Sequence, residues 1–250
     1  MRVLVVTGTG TDIGKTVVTA ALAACALRAG ERVAVVKPIQ TGVLPGEPGD
    51  LAEVRRLTGI EDLHEFARFD EPLAPATAAE RAGRPAPSVA QLTARLAALA
   101  DRDLVLVEGA GGAAVRLNAA GETMIDLTAL LAGTAETQVV LVASSGLGTL
   151  NTAALTANAF ADRSLALAHM VIGAWPDEPD LAERCNLADL PSYAGAPLSG
   201  VIPGGAGALS TAEFANLAVE WITPALGGRL DAQHFVSDHA VAPPARKATP

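Results

Sequence analysis

The sequence predicts an α/β fold: a single domain built on a doubly wound, mostly parallel sheet with helices on both faces. Three observations lead there. Short apolar runs at residues 2–7, 33–37, 104–108, 138–143, 168–173 and 200–203 are continuous rather than alternating, as strands covered on both faces are. Stretches of helical character separate them, at residues 16–29, 51–58, 89–100, 126–132, 150–161, 181–190 and 211–222, so strand and helix take turns and right-handed crossovers follow. Half of the 250 residues are hydrophobic, which excludes disorder and suffices for a full core.

Taken in order, the first run ends at Thr7-Gly8 and is too short for a signal-peptide core or a membrane span. The helix that follows is rich in Ala, and Cys25 within it reads as a core thiol. The second run closes on Lys37. Pro45, Pro48, Pro72 and Pro75 then interrupt two long loops, one after Lys37 and one around residues 66–75, and long loops in compact domains are often functional. The third run closes on Glu108 and opens into Gly109-Ala110-Gly111-Gly112. From about Gly227 the periodicity fades, so the reading is one domain over residues 1–226 and a flexible C-terminal tail over 227–250.

Composition bounds the partners. The formal net charge is −9, and no basic run exceeds the pair Arg55-Arg56, which argues against nucleic-acid and anionic-membrane surfaces. Two distant cysteines, Cys25 and Cys185, suit reduced thiols in a cytoplasmic protein rather than a disulfide scaffold. His64 reads as a loop residue, His169 as a strand residue, and His234 and His239 as tail residues without metal spacing. Of the 18 basic residues, only three are Lys, at positions 15, 37 and 247.

Two of those three fall where chemistry is expected. Thr7-Gly8-Thr9-Gly10-Thr11-Asp12-Ile13-Gly14-Lys15-Thr16 follows the first strand and precedes a helix, the context of a phosphate-binding loop. Its glycines let backbone amides wrap an anion, Lys15 adds a mobile positive charge, and the Thr16 hydroxyl can ligate Mg²⁺. The spacing is imperfect, with Thr9 where the usual pattern begins with Gly. Cell-division and partition ATPases of the phosphate-loop class carry a second Lys early in this loop, where Gly10 stands here. Lys37, at a strand end that opens onto the ligand crevice, is placed to supply that second charge, or else it is a solvated strand-end residue. Glu108 is either an Mg²⁺ ligand beside Thr16 or a turn-initiating residue, and Asp50 is either a second carboxylate for the ion or an ordinary N-cap.

Five blocks together carry a resemblance: residues 8–16, Lys37-Pro38-Ile39-Gln40-Thr41-Gly42, Val107-Glu108-Gly109-Ala110-Gly111-Gly112, Gly146-Leu147-Gly148-Thr149-Leu150-Asn151 and Gly200-Val201-Ile202-Pro203. Over residues 1–225 the chain resembles the dethiobiotin synthetases, phosphate-loop enzymes of biotin synthesis. The resemblance implies an ATP- and Mg²⁺-dependent cyclo-ligase that joins CO2 to 7,8-diaminopelargonic acid and closes a ureido ring, releasing ADP and phosphate. It implies that Lys15, Lys37 and Thr11 serve the reaction, and that Gly10, Thr11, Asp12, Ile13, Gly14, Lys15, Thr16 and Val17 hold the nucleotide phosphates. Thr16, Asp50 and Glu108 are then the Mg²⁺ ligands. Asp12, Lys37, Thr41, Gly111 and Gly112 face the diamine, and Gly148, Thr149, Leu150 and Asn151 receive the substrate carboxylate across a homodimer interface.

One departure stands out. Enteric-type members have an Asn after the fifth strand that reads adenine, whereas this chain has Ile172-Gly173-Ala174-Trp175-Pro176. Base recognition is then expected from backbone near Gly173, Ala174 and Trp175 and near Ile202, Pro203, Gly204 and Gly205, with ATP weakly favoured over other nucleoside triphosphates or not favoured at all. Trp175 either stacks near the base or is a surface-anchored aromatic. Two other readings share the phosphate loop: a partition-type ATPase switch, disfavoured by Gly10, the acidic charge and the lack of an amphipathic membrane-targeting tail, and an amide-forming synthetase, which typically adds a glutaminase domain for which no room remains.

Overall fold

The computed structural model describes residues 1–241; the last nine residues of the expected tail lie outside that range. Seven parallel strands form one sheet in the order β4-β2-β6-β1-β7-β8-β9. They are β1 (Arg2–Gly8), β2 (Val33–Lys37), β4 (Leu63–Glu65), β6 (Leu104–Glu108), β7 (Glu136–Ala143), β8 (His169–Trp175) and β9 (Leu198–Pro203). A two-stranded parallel pair, β3 (Gln40–Thr41) with β5 (Arg68–Phe69), sits apart from the main sheet.

Helices cover both faces, as the burial of every β2 and β6 residue requires. On one face lie α1 (Lys15–Arg28), α2 (Asp50–Thr58) and α8 (Thr211–Trp221), packed on Leu4, Val6, Val33, Val35, Leu104 and Leu106. On the other lie α3 (Pro75–Arg81), α4 (Val89–Ala97), α5 (Met124–Ala132), α6 (Thr149–Ala161) and α7 (Leu181–Ala194). Helix α1 is apolar nearly all round, and it is buried nearly all round between the sheet, α2 and α8; its small Ala side chains allow that close packing. Four helices start with reciprocal caps, Ser88 with Gln91, Thr123 with Asp126, Asp180 with Glu183 and Ser210 with Glu213.

Several expectations change. Pro75 does not merely interrupt a loop: it occupies the first turn of α3, where its missing N–H costs nothing. Helix α7 runs through Pro191 to Ala194. His64 lies in the short edge strand β4, its Nε2 2.7 Å from Asp62. The region expected to be a loose tail from Gly227 holds helix α9 (Ala232–His239), whose Phe235 meets the Trp175 ring edge-on. Cys25 is buried as expected, and desolvation pushes its thiol up to about 11. Among the described residues no helix is long and apolar enough to cross a membrane.

Register sets up the site. Val6 pairs with Glu108 and Val36 with Val107, so β1, β2 and β6 end together and deliver the phosphate loop, Lys37 and Glu108 to one edge of the sheet.

Candidate active site

The phosphate loop leaves β1 and turns into α1 through Gly14, which caps the helix at φ +90°, without a side-chain cap. Two glycines make this turn possible. A Cβ on Gly14 would lie 2.3 Å from the Gly173 carbonyl oxygen, and one on Gly173 would lie 1.9 Å from that of Ile13. Loop and β8 therefore touch backbone to backbone. Gly10, by contrast, has open space around its missing Cβ, and its carbonyl accepts a 2.7 Å hydrogen bond from Lys15 Nζ.

Lys37 is at the centre of the site. Its ammonium, with the residue only 2% exposed, lies 2.5 Å from Asp50 Oδ2, 2.8 Å from Glu108 Oε1 and 3.1 Å from the Gly109 carbonyl. Thr16 Oγ1 donates to the same Glu108 oxygen at 2.9 Å. Burial alone would lower the Lys37 pKa, yet the Glu108 and Asp50 carboxylates outweigh it and hold the group above the usual lysine value. Lys15 shifts the other way, lowered first by burial and then by the charge of Lys37. The Asp50 alternative resolves in part here: the N-cap of α2 is Gly49, and the Asp50 carboxylate turns to Lys37 instead.

The second oxygen of Glu108, Oε2, is buried without a hydrogen-bond partner. A buried anionic oxygen left over beside a Thr hydroxyl and a second carboxylate is a hard, oxygen-only donor set that suits Mg²⁺. No cluster of three or more His, Cys, Asp or Glu able to hold a metal occurs among the described residues. An ion here would therefore take its remaining ligands from phosphate oxygens and water, as Mg²⁺ does in phosphoryl-transfer sites.

Two contiguous cavities open from this centre. The first, of about 430 Å³, brings together Thr11, Asp12, Gly14, Lys15, Thr16, Val17, Lys37, Thr41, Asp50, Glu108 and Gly111, all expected from the sequence. The second, of about 670 Å³, shares Thr11, Asp12, Thr41, Asp50 and Gly111 and runs on between Val43, Pro72, Leu73 and Val115. A charged head thus leads into an apolar slot. Gly112 lies against the backbone of Gly8 to Gly10.

Sequence reasoning missed Gln40. Its Oε1 accepts from the Asp50 amide at 3.0 Å and its Nε2 donates to the Thr41 carbonyl at 3.1 Å, so one side chain holds the start of α2 against β3. Its place between Lys37 and Thr41 was the available signal.

Other expected residues lie elsewhere. Gly148, Thr149, Leu150 and Asn151 line neither cavity of their own chain; Gly148 caps α6 at φ +95°. Gly173, Ala174, Trp175, Ile202, Pro203 and Gly204 also line neither, and they meet where β8 and β9 end side by side. A bulge between Ile172 and Trp175 leaves Ala174 exposed and turns Trp175 inward. The Trp175 ring is buried and meets Phe235 and His239 edge-on, so it is not the surface-anchored aromatic that was one of its two readings. Ile202 is likewise a core residue, so only its backbone can face a ligand.

Comparison with known proteins bears on this arrangement. A family profile described as "AAA domain" matches residues 2–206. The chain is 57% identical over 236 residues to the ATP-dependent dethiobiotin synthetase BioD of Frankia casuarinae, covering 94% of this chain and 98% of that one. It is 54% identical to the protein of the same name from Streptomyces coelicolor, covering 96% of this chain and 99% of that one. Among solved structures, the MinC:MinD cell division protein complex of Aquifex aeolicus aligns over 97% of this chain and 98% of that chain with a TM-score of 0.52 at 12% identity, a likeness of fold alone.

Lys37 fits between two carboxylates and a carbonyl, a slot made for a compact ammonium and too narrow for a planar guanidinium fork. Lys37→Arg and Lys15→Arg should each lower kcat by about 10²-fold or more despite keeping the charge. Steady-state rates within a few-fold of the unsubstituted enzyme would contradict this.

Proposed function

The chain belongs to the ATP-dependent dethiobiotin synthetase family, and on that premise we propose how its residues share the work of the reaction. The enzyme is an ATP-dependent cyclo-ligase of biotin biosynthesis, and its substrates are 7,8-diaminopelargonate and CO2. The observation that carries the residue assignment is the convergence of Lys15, Lys37, Thr16, Asp50 and Glu108 beside a cavity whose far half is apolar.

Phosphoryl transfer needs positioning and charge neutralisation more than a protein nucleophile, and the site offers these. The amides of residues 10–17 cradle the triphosphate, and Lys15, released from the Gly10 carbonyl, follows the β- and γ-phosphates. Thr16, Asp50 and Glu108 would hold Mg²⁺, which supplies neutralisation of phosphate charge. The diamine head sits near Thr11, Asp12, Thr41, Gly111 and Gly112, and the methylene chain runs along Val43, Pro72, Leu73 and Val115. One amine captures CO2 as a carbamate. Its oxygen attacks the γ-phosphorus and ADP leaves, giving a carbamic–phosphoric anhydride. The second amine attacks the carbamoyl carbon, phosphate departs and the ring closes. Lys37 offsets charge on the carbamate and on the transferred phosphoryl group.

The substrate carboxylate needs a receptor beyond the apolar slot, and we assign it to Gly148, Thr149, Leu150 and Asn151 of a second copy. Support comes from Leu147, 93% exposed in the turn before α6, and Leu155, 60% exposed on α6, which put apolar surface on either side of those residues. A homodimer with shared sites follows. The acidic charge and the absence of a membrane-crossing helix among the described residues are consistent with a cytoplasmic enzyme. The switch-ATPase alternative shares the fold and lacks the sequence identity.

Three outcomes are expected. Nucleotide turnover should require both the diamine and bicarbonate and yield dethiobiotin; hydrolysis stimulated by DNA or lipid and indifferent to the diamine would sink the assignment. Because Ala174 carries no polar group and the Trp175 ring faces α9, kcat/KM for ATP should lie within about tenfold of that for CTP, GTP and UTP, a span of about 1.4 kcal/mol. A larger preference counts against backbone-only base reading. Sedimentation should give twice the chain mass, and mixing inactive Lys37→Ala and Asn151→Trp proteins should restore turnover through hybrid dimers. A monomer, or no rescue, argues against shared sites.

A further inference from the structure

Helix α2 begins at Asp50, beside Lys37, and two turns later reaches the segment that follows β9. Arg56 makes that connection. Its Nε and Nη2 donate to the Glu53 carboxylate at 2.8 and 2.6 Å, its Nη1 donates to the Leu209 carbonyl at 3.0 Å, and Nη2 also donates to the Gly207 carbonyl. Thr211 Oγ1 returns a 2.6 Å hydrogen bond to the Arg56 carbonyl. The segment so held contains Gly204, Gly205 at φ +77° and a single 3₁₀ turn, Ala206–Ala208, a sequence with much backbone freedom to lose. It lies against the first turn of α1: a Cβ on Gly207 would sit 3.5 Å from Val17 Cγ2. The turn also continues directly from the end of β9, where Pro203 pairs with Trp175 of β8, the place proposed above for the base.

We propose that Arg56, oriented by Glu53, is a positioning residue for nucleotide binding, which fixes the 204–209 turn as a preformed wall for the ribose and base. The proposal rests on the reading that the base lies at the ends of β8 and β9. Arg56 is about half exposed, and an ion pair so exposed contributes little to folding. Its effect falls instead on binding, because a wall already ordered need not be ordered by the ligand. The guanidinium suits the task, since its planar fork serves a carboxylate and two carbonyls at once. Arg55, its neighbour, is taken up by Glu61.

The test uses the full-length enzyme and Arg56→Gln, with Glu53→Gln as a second variant expected to act more weakly in the same direction. Arg56→Gln should raise KM for ATP about three- to tenfold, leaving kcat and the KM for diaminopelargonate within about twofold. Inorganic tripolyphosphate, which lacks ribose and base, should inhibit the original enzyme and the variant equally, and Tm should fall by no more than about 2 °C. An unchanged KM for ATP overturns the proposal. So does a parallel loss of tripolyphosphate affinity, which would place the effect on the phosphate loop. Photolabelling with 8-azido-ATP separates the two readings: label on residues 203–210 with unchanged KM refutes the role of Arg56 alone, and label elsewhere refutes the base site and the proposal with it.

Discussion

Lys37 is buried between Asp50 and Glu108, and much of the molecule is arranged to hold it there. Removing one partner of a buried ion pair typically costs about 3–5 kcal/mol, because the remaining charge has no water to turn to. The group is tolerable only because three elements meet at one point: β2 supplies the ammonium, β6 the fully buried carboxylate and α2 one that is 34% exposed. Parallel pairing fixes the first two, and Gln40 fixes the third by holding the Asp50 amide. Thr16 joins from α1 through the same Glu108 oxygen. The cation place between the carboxylates is therefore already filled by a protein group that is itself a candidate for the chemistry. An incoming metal and triphosphate would redistribute charge within one connected set rather than assemble it.

Residues whose identity and local pattern coincide were readable from sequence. The runs ending in Thr7-Gly8, Lys37 and Glu108 became strand ends at one edge, because continuous apolar runs have few alternatives to buried parallel strands. The phosphate loop was readable despite its irregular spacing, since the strand before it and the helix after it supply the context. Gln40 was not, because its contribution is two hydrogen bonds to groups that come near only after folding. Strands β3, β4 and β5 have two or three residues each, too few for any periodicity to register. The burial of Trp175 was not readable for a related reason: the bulge before it reverses which way the chain faces, and α9, which covers it, has too little apolar content to announce itself.

The likeness to MinD marks how much the fold leaves open. The two chains share an architecture over nearly their whole length, yet a similarity of 12% identity carries no chemistry. Here Gly10 has room for a side chain and has none, and a buried ammonium, that of Lys37, stands at a strand end in contact with Glu108. A charge fixed in the sheet is held by packing, whereas one carried on the loop moves with it.

The contact between Gly14 and Gly173 limits how this enzyme can change. With carbonyl oxygens about 2 Å from where either Cβ would stand, neither position accepts any other amino acid without moving the phosphate loop. Side-chain variation at this end of β8 is thereby channelled to Ala174, the next residue along and the exposed one. One permissive position thus stands beside a frozen pair, and the bulge that lifts Ala174 into solvent is also the point at which this end of β8 is free to evolve.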